Sequence, residues 1–352
     1  MDFKTIKDIN VKNKVVLVRA DFNVPMKDGE VMNDLRIRAS VPTLEYLREK
    51  GAKKIIVLSH LGRPEGRDKS LSLKAVAVVL DGLIGKVAFV DDVSGPDVEA
   101  AVAKTKAGGV LVLENLRFFA GEKRNSSDFM REIIDSTGAD IYVQDGFSVC
   151  HREHASVVAV SEHLPVYAGL LVEKEVKNLS EAATHPKRPL LLVVGGAKVE
   201  DKAPLIEKFA KIADKIVVGG KIAAEGYKGN DKIYVAEDFD EDGEGNKLDV
   251  GPVAMGKIAG MITDAKTIIW SGLMGKAEDP AYATASTIVA EMMGEKENAE
   301  TIVLGGDTTG FVEEIMTEHP GLKYSLISTG GGASLEFLVG AELPGLSVIE
   351  RK

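Results

Sequence analysis

The sequence predicts an α/β protein of two Rossmann-like lobes, each a mostly parallel sheet flanked by helices, joined by a central interdomain helix. Three observations predict it. Strand-like apolar runs alternate with helical segments along all 352 residues, the rhythm of βαβ units. The chain is longer than one ordinary core, so two domains are expected. Glycines or basic residues follow nearly every strand-like run, at the carboxyl edge where open α/β sheets take their ligands.

In the first half, Lys14 to Phe22 reads as the first strand, and Asn33 or Asp34 caps a helix running to about Lys50, with Gly51 as its stop signal. Further strands are expected at Lys53 to Leu61, Val87 to Val90, Val110 to Leu113 and Ile141 to Val143. The strand ends carry the chemistry: RADFNVP (Arg19 to Pro25), SHLGRP (Ser59 to Pro64), ENLRF (Glu114 to Phe118) and DGFSVCHREHAS (Asp145 to Ser156). Arg36 and Arg38 open the first helix nearby. Parallel strands bring all of these to one edge of the sheet. Any one arginine reads best as a surface ion-pair partner, but the strand-end set together does not. Guanidinium forks match carboxylate and phosphate, so the expected ligand is a small molecule with several negative charges. His60, His151 and His154 lack a metal-ligand spacing, and core or hydrogen-bonding roles outweigh metal binding.

The stretch Leu164 to Ala183 reads as a helix, and THPKRP after it as a breaker, so the boundary between lobes is placed here. There is no Gly/Ser-rich linker. Second-half strands are expected at Leu190 to Val194, Ile216 to Val218, Ile233 to Val235, Thr267 to Trp270, Thr301 to Leu304 and Tyr324 to Ile327. PLLLVVGGAKVEDK is a buried strand ending in Gly195-Gly196, then Lys198 and Lys202 at the start of a helix, where N–H donors and the dipole favour phosphate. STGGGASLEFL repeats the design at Gly330 to Gly332. In GGDT, Gly305 to Thr308, Asp307 would repel a phosphate directly; it is either a helix cap or a ligand of Mg²⁺ bridging phosphates. Neither GxxxxGK[ST] nor GxGxxG occurs. Asp240 to Lys247, DEDGEGNK, lacks the EF-hand pattern and reads as a solvated loop.

The bulk numbers limit the function. A net charge of −10 argues against nucleic-acid or membrane binding through the chain as a whole. Cys150 is the only cysteine, which leaves no disulfide framework and no cysteine-based metal site. The first residues do not resemble a signal peptide and no apolar run spans a bilayer, so a cytoplasmic enzyme or binding protein is expected.

Taken in order, RADFNVP, SHLGRP, ENLRF, HREHAS, GGAKVEDK, GGDT and STGGGASLEFLVGAELPG resemble the phosphoglycerate kinase family from end to end. The resemblance implies a phosphotransferase of glycolysis and gluconeogenesis with a carboxyl group as acceptor. It would move a phosphoryl group between 1,3-bisphosphoglycerate and ADP, giving 3-phosphoglycerate and ATP with Mg²⁺, as a hinge-bending monomer. It implies an amino-terminal phosphoglycerate-binding domain over 1–163, with the tail 340–352 packed back on it. A hinge helix over 164–186 and a nucleotide-binding domain over 187–339 follow. Asp21, Phe22, Asn23, Arg36, His60, Leu61, Gly62, Arg63, Arg117 and Arg152 would bind phosphoglycerate. Ala197, Lys198, Lys202, Gly220, Glu278 and Gly305, Gly306, Asp307, Thr308 would bind the nucleotide, with Asp307 on the metal. Arg36, Lys202, Gly331 and Gly332 would face the transferring group.

The departures lie in the nucleotide lobe. Ser271, Leu273, Lys276 and Ala277 stand where the family usually has NGPMGVFE, and GGKIAAEGY from Gly219 where it usually has GGxMA and a Phe. The chain is also shorter than most members, mainly in this half. An altered nucleotide preference, a kinase for another acyl phosphate, or a phosphoglycerate-binding regulator that has lost turnover are the competing readings. Retention of Lys198, Lys202, Glu278 and Asp307 together speaks against the last.

Overall fold

Continuous runs of Val, Ile and Leu form the strands, and they assemble into two sheets. The computed structural model describes residues 2–352. It divides into one unit of Met1–Val176 with Glu342–Lys352 and a second of Lys177–Ala341. In the first, the sheet runs Val87–Phe89, Gly109–Val112, Lys54–Leu58, Val15–Arg19, Ile141–Gln144, Val166–Ala168, with every neighbouring pair parallel. All five residues of Val15–Arg19 are buried, as expected of a strand covered on both faces. Strand order reverses between Val15–Arg19 and Ile141–Gln144, so the loops after these two strands flank a topological switch point. The carboxyl-terminal residues complete this unit. Lys4 N–H donates to Glu350 O at 2.7 Å and Glu350 N–H to Val166 O at 2.9 Å, while Phe3 bridges Arg351.

The second sheet runs Ile233–Val235, Lys215–Val218, Leu190–Val194, Thr267–Ser271, Glu300–Leu304, Leu326–Ile327, again all parallel. Numbered by position within this unit the order is 3-2-1-4-5-6, that of a dinucleotide-type sheet, with its switch point between Leu190–Val194 and Thr267–Ser271.

The elements differ from expectation in several places. The helix expected from Leu164 begins only at Leu170 and ends at Thr184. Ahead of it Val166–Ala168 forms the edge strand beside Ile141–Gln144; a β-branched residue and a tyrosine after Pro165 suit a pleated edge better than a helix. The expected strands at Val87 to Val90 and Tyr324 to Ile327 shorten to Val87–Phe89 and Leu326–Ile327. The stretch read as a loop at Asp240 to Lys247 is the turn of a hairpin, Phe239–Glu241 against Lys247–Val250. At the first helix, Leu35–Glu49, Asp34 holds the cap position without a side-chain bond to the backbone; Asn33 Oδ1 instead accepts from Leu35 N–H at 2.9 Å.

Candidate functional site

The first unit gathers a cationic cluster at its switch point. Asp21, at the end of the first strand, accepts from Arg36 and from Ser148, so it joins the first helix to the loop after Ile141–Gln144. Asn23 Oδ1 accepts from Gly62 N–H at 2.8 Å, and Ser59 Oγ accepts from Phe22 N–H at 2.8 Å. These bonds tie the RADFNVP and SHLGRP loops together. Asn115 extends the tie: its Oδ1 accepts from Leu61 N–H at 3.2 Å and Arg117 N–H at 3.0 Å, and Arg117 donates to Gly62 O. Phe22 and Leu61 put their side chains in the core, so what they offer a ligand is backbone. Arg63 is exposed, while Arg36 and Arg152 are half-buried. Arg152 Nε donates to His151 Nε2 at 3.3 Å.

The charges in this cluster are not balanced. Burial, joined by the charges of Arg152 and Arg19 and opposed by Asp21 and Glu122, lowers the Arg117 guanidinium to about 10. Arg152 is lowered by burial too, with Asp21 opposing and Arg63, Arg19 and Arg36 adding to the shift. His60 is held well below the ordinary imidazole range by burial, despite Asp21. Burial would raise Asp21, but Arg36 and the bond from Ser148 outweigh it and hold the carboxyl well below its usual range. Several cations that depress one another and outnumber Asp21 and Glu122 form a site wanting a further anion.

The second unit holds a cavity of about 1240 Å³, ample for a nucleotide. Three helix amino termini meet there, those of Val199–Phe209, Gly306–Glu318 and Gly332–Val339. Each presents free N–H groups and a positive dipole end. Ala197, Lys198, Lys202 and Glu278 line the cavity, with Gly305, Gly306, Asp307 and Thr308 beside them and Gly331 and Gly332 closing the set. Gly220 lies outside the lining, against Gly196 N and Leu273 O. The floor is built at the switch point, where Gly196 N–H donates to Leu273 O at 2.8 Å. A Cβ on Gly272, whose φ is +99°, would run into the Gly195 backbone. Lys202 Nζ donates to Ser271 Oγ at 2.7 Å, and Gly272 N–H to Thr308 Oγ1 at 2.8 Å. Burial lowers the Lys202 ammonium, with Asp201 and Asp307 opposing.

Several residues escaped the sequence reading. Arg19, read as part of the strand-end set but given no role of its own, sits wholly buried beneath the cluster, and nothing in the sequence pointed to its partners. Lys221, Asn246, Lys247 and Leu248 also line the cavity. The last three come from the hairpin mistaken for a loop, whose short acidic turn hides the strand pattern. Ser271 stood out only as a departure from the family; the structure makes it the partner of Lys202.

The family model described as phosphoglycerate kinase matches residues 6–231 and 224–341. Among curated relatives, the phosphoglycerate kinase of Moorella thermoacetica is 39% identical and that of Dictyoglomus turgidum 37%. Each alignment covers 99% of this chain and 99% and 98% of the relative, respectively. These alignments run over 396 positions against 352 residues here, so the gaps fall on this side. Among solved structures, phosphoglycerate kinase from Pyrococcus horikoshii OT3 superposes with a TM-score of 0.85 at 28% identity, and that from Coxiella burnetii with 0.79 at 31%. Both cover 98% of each chain. With the family pattern running through both units and relatives aligned over nearly the whole length, this chain belongs to the phosphoglycerate kinase family.

Proposed function

We propose that this chain catalyses reversible phosphoryl transfer between 1,3-bisphosphoglycerate and ADP, with the phosphoglycerate on the first unit and the nucleotide on the second. The observation that carries this reading is the pairing of an unbalanced arginine cluster with a three-helix cavity, each at its sheet's switch point. Arg36, Arg63, Arg117 and Arg152 bind the carboxylate and phosphate of the glycerate through charge-assisted hydrogen bonds. Asp21, Asn23 and His60 shape the loops and orient the ligand. Lys198 and Lys202 neutralise nucleotide phosphates, and the Gly305–Gly306 and Gly331–Gly332 amides receive the oxygens of the transferring group.

In the direction of ATP consumption the nucleophile is a carboxylate, already ionised at neutral pH. The chain therefore needs no general base, and catalysis is alignment with charge neutralisation. Asp307 is the residue that would hold Mg²⁺. It is a cavity-lining carboxylate at a helix start, and among the described residues no group of three or more His, Cys, Asp or Glu converges on a metal position. One carboxylate completed by phosphate oxygens and water is the usual Mg²⁺ arrangement in kinases, where the ion neutralises phosphate charge. Because the two ligands belong to different units, transfer requires a hinge movement that brings them together.

The test is the reverse reaction with 3-phosphoglycerate and MgATP, coupled to glyceraldehyde-3-phosphate dehydrogenase and followed as NADH loss, with MgGTP in parallel. Turnover with ATP is expected. A protein that neither nucleotide turns over, yet whose melting temperature 3-phosphoglycerate raises, would instead be a binding regulator.

A further inference from the structure

The buried Arg19 determines which nitrogen of His60 carries a proton. Its Nη2 lies 3.0 Å from His60 Nδ1. A guanidinium has N–H donors and no acceptor. Nδ1 must therefore present its lone pair, which excludes both the Nδ1–H tautomer and the imidazolium. We infer that Arg19 is a positioning residue that fixes His60 as a neutral ring protonated at Nε2, giving the first unit's anion site an uncharged N–H donor.

The guanidinium itself has no freedom to turn away. Nε donates to Ser156 Oγ at 2.8 Å and Nη1 donates to Ala20 O. The Ser156 hydroxyl, its lone pair taken by Arg19, donates to Glu122 Oε1 at 2.7 Å, and Ser156 N–H to Glu122 Oε2 at 3.0 Å. Arg19, Ser156 and Glu122 are each 0% exposed. Every proton from Glu122 to His60 is thus assigned by donor and acceptor chemistry alone. The groups around the ring agree. Asp21 Oδ1, at 3.8 Å from Nδ1, draws a proton toward the ring; burial and the charges of Arg19, Arg117 and Arg152 oppose it and win. A histidine held this way contributes orientation without charge, and its donor persists unchanged across the physiological pH range.

That the anion is phosphoglycerate rests on the function proposed above; the tautomer does not. The experiment is long-range ¹H–¹⁵N correlation on full-length, ligand-free protein carrying ¹⁵N-histidine, with His60→Gln assigning the signal among the six histidines. Expected is a pure Nε2–H pattern from pH 5.5 to 8. An Nδ1–H pattern, or a titration midpoint near 6.5, overturns the inference. Arg19→Met removes the donor outright. Should its buried neighbours prevent folding, Ser156→Ala releases the guanidinium at lower cost. Either variant is expected to yield a mixed tautomer population and to raise KM for 3-phosphoglycerate by about fivefold to tenfold, the effect of one misplaced hydrogen bond, with kcat nearly unchanged. A folded variant that keeps both the pure pattern and the original KM overturns the positioning role. A protein with the Nε2–H ring but without turnover refutes the kinase reading and leaves this one standing.

Discussion

Arg36 and Asp145 show how differently two residues near one switch point behave. Arg36 is only partly buried, and Asp21, the carboxylate its guanidinium meets, also accepts from Ser148, so the guanidinium retains donors for a ligand. Arg36→Ala is expected to lower kcat in the reverse assay by about 100-fold or more, as loss of a charge aimed at the reacting group does. An exposed lysine such as Lys106 changed to Ala should leave kcat unchanged. Asp145 is wholly buried at the start of the Leu170–Thr184 helix, where its Oδ1 accepts from Leu171 N–H at 3.0 Å and its Oδ2 has no partner. Burial raises its carboxyl to about 7, against bonds from Thr43, Leu171 and Val172. A carboxyl raised in the folded state binds its proton more tightly there than when unfolded, so it stabilises fully below its ordinary pKa and that stability is lost as pH climbs through about 7. The melting temperature of the native protein should therefore fall relative to Asp145→Asn between about pH 4 and 7. A constant difference across that window would show that Asp145 does not titrate there. The sequence placed Asp145 at a strand end without hinting at this, because burial of a carboxylate is set by what packs over it. His60 and Arg117, by contrast, were singled out as candidate ligand residues by the family motifs in which they stand, SHLGRP and ENLRF.

At the level of elements, the parallel strands were the most readable part, since a buried parallel strand is a bare apolar run with a glycine or charge at its end. The hairpin at Phe239–Glu241 and Lys247–Val250 was not readable. Its strands of three and four residues are rich in acidic side chains, and only the packing of Asp249, buried with Oδ2 accepting from Ala285 N–H at 2.9 Å, explains their place. The glycines divide by surroundings rather than by sequence. Gly272→Ala would force a side chain against the Gly195 backbone at φ +99°. It should cost roughly 1–3 kcal/mol from backbone strain alone and, on the function proposed above, abolish the rise in melting temperature expected with MgADP. Gly310→Ala, within the Gly306–Glu318 helix with nothing within 4 Å of the added methyl, should instead stabilise by about 0.5–1 kcal/mol. If both behave alike in thermal melts, the close approach at the switch point is not what selects glycine.

On the scale of the whole molecule, the chain divides into two bodies, to which the function proposed above assigns one ligand each, and the division falls within the Leu170–Thr184 helix, after Val176. Small-angle scattering should record a smaller radius of gyration with 3-phosphoglycerate and a nonhydrolysable MgATP analogue together than with either alone; identical profiles would remove the hinge from the mechanism. The two-lobe plan was legible from length and rhythm, and the division after Val176 falls within the stretch Leu164 to Ala183 that was read as the helix joining the lobes. The return of Glu342–Lys352 to the first unit has a consequence for biosynthesis. The bridge from Phe3 to Arg351 waits for Lys177–Ala341 to be made, on the order of ten to thirty seconds at about 5–20 residues per second. Until Glu342–Lys352 follow, the first body, begun earlier, lacks the segment that pairs with its amino-terminal residues, so the lobe begun first receives its last segment last.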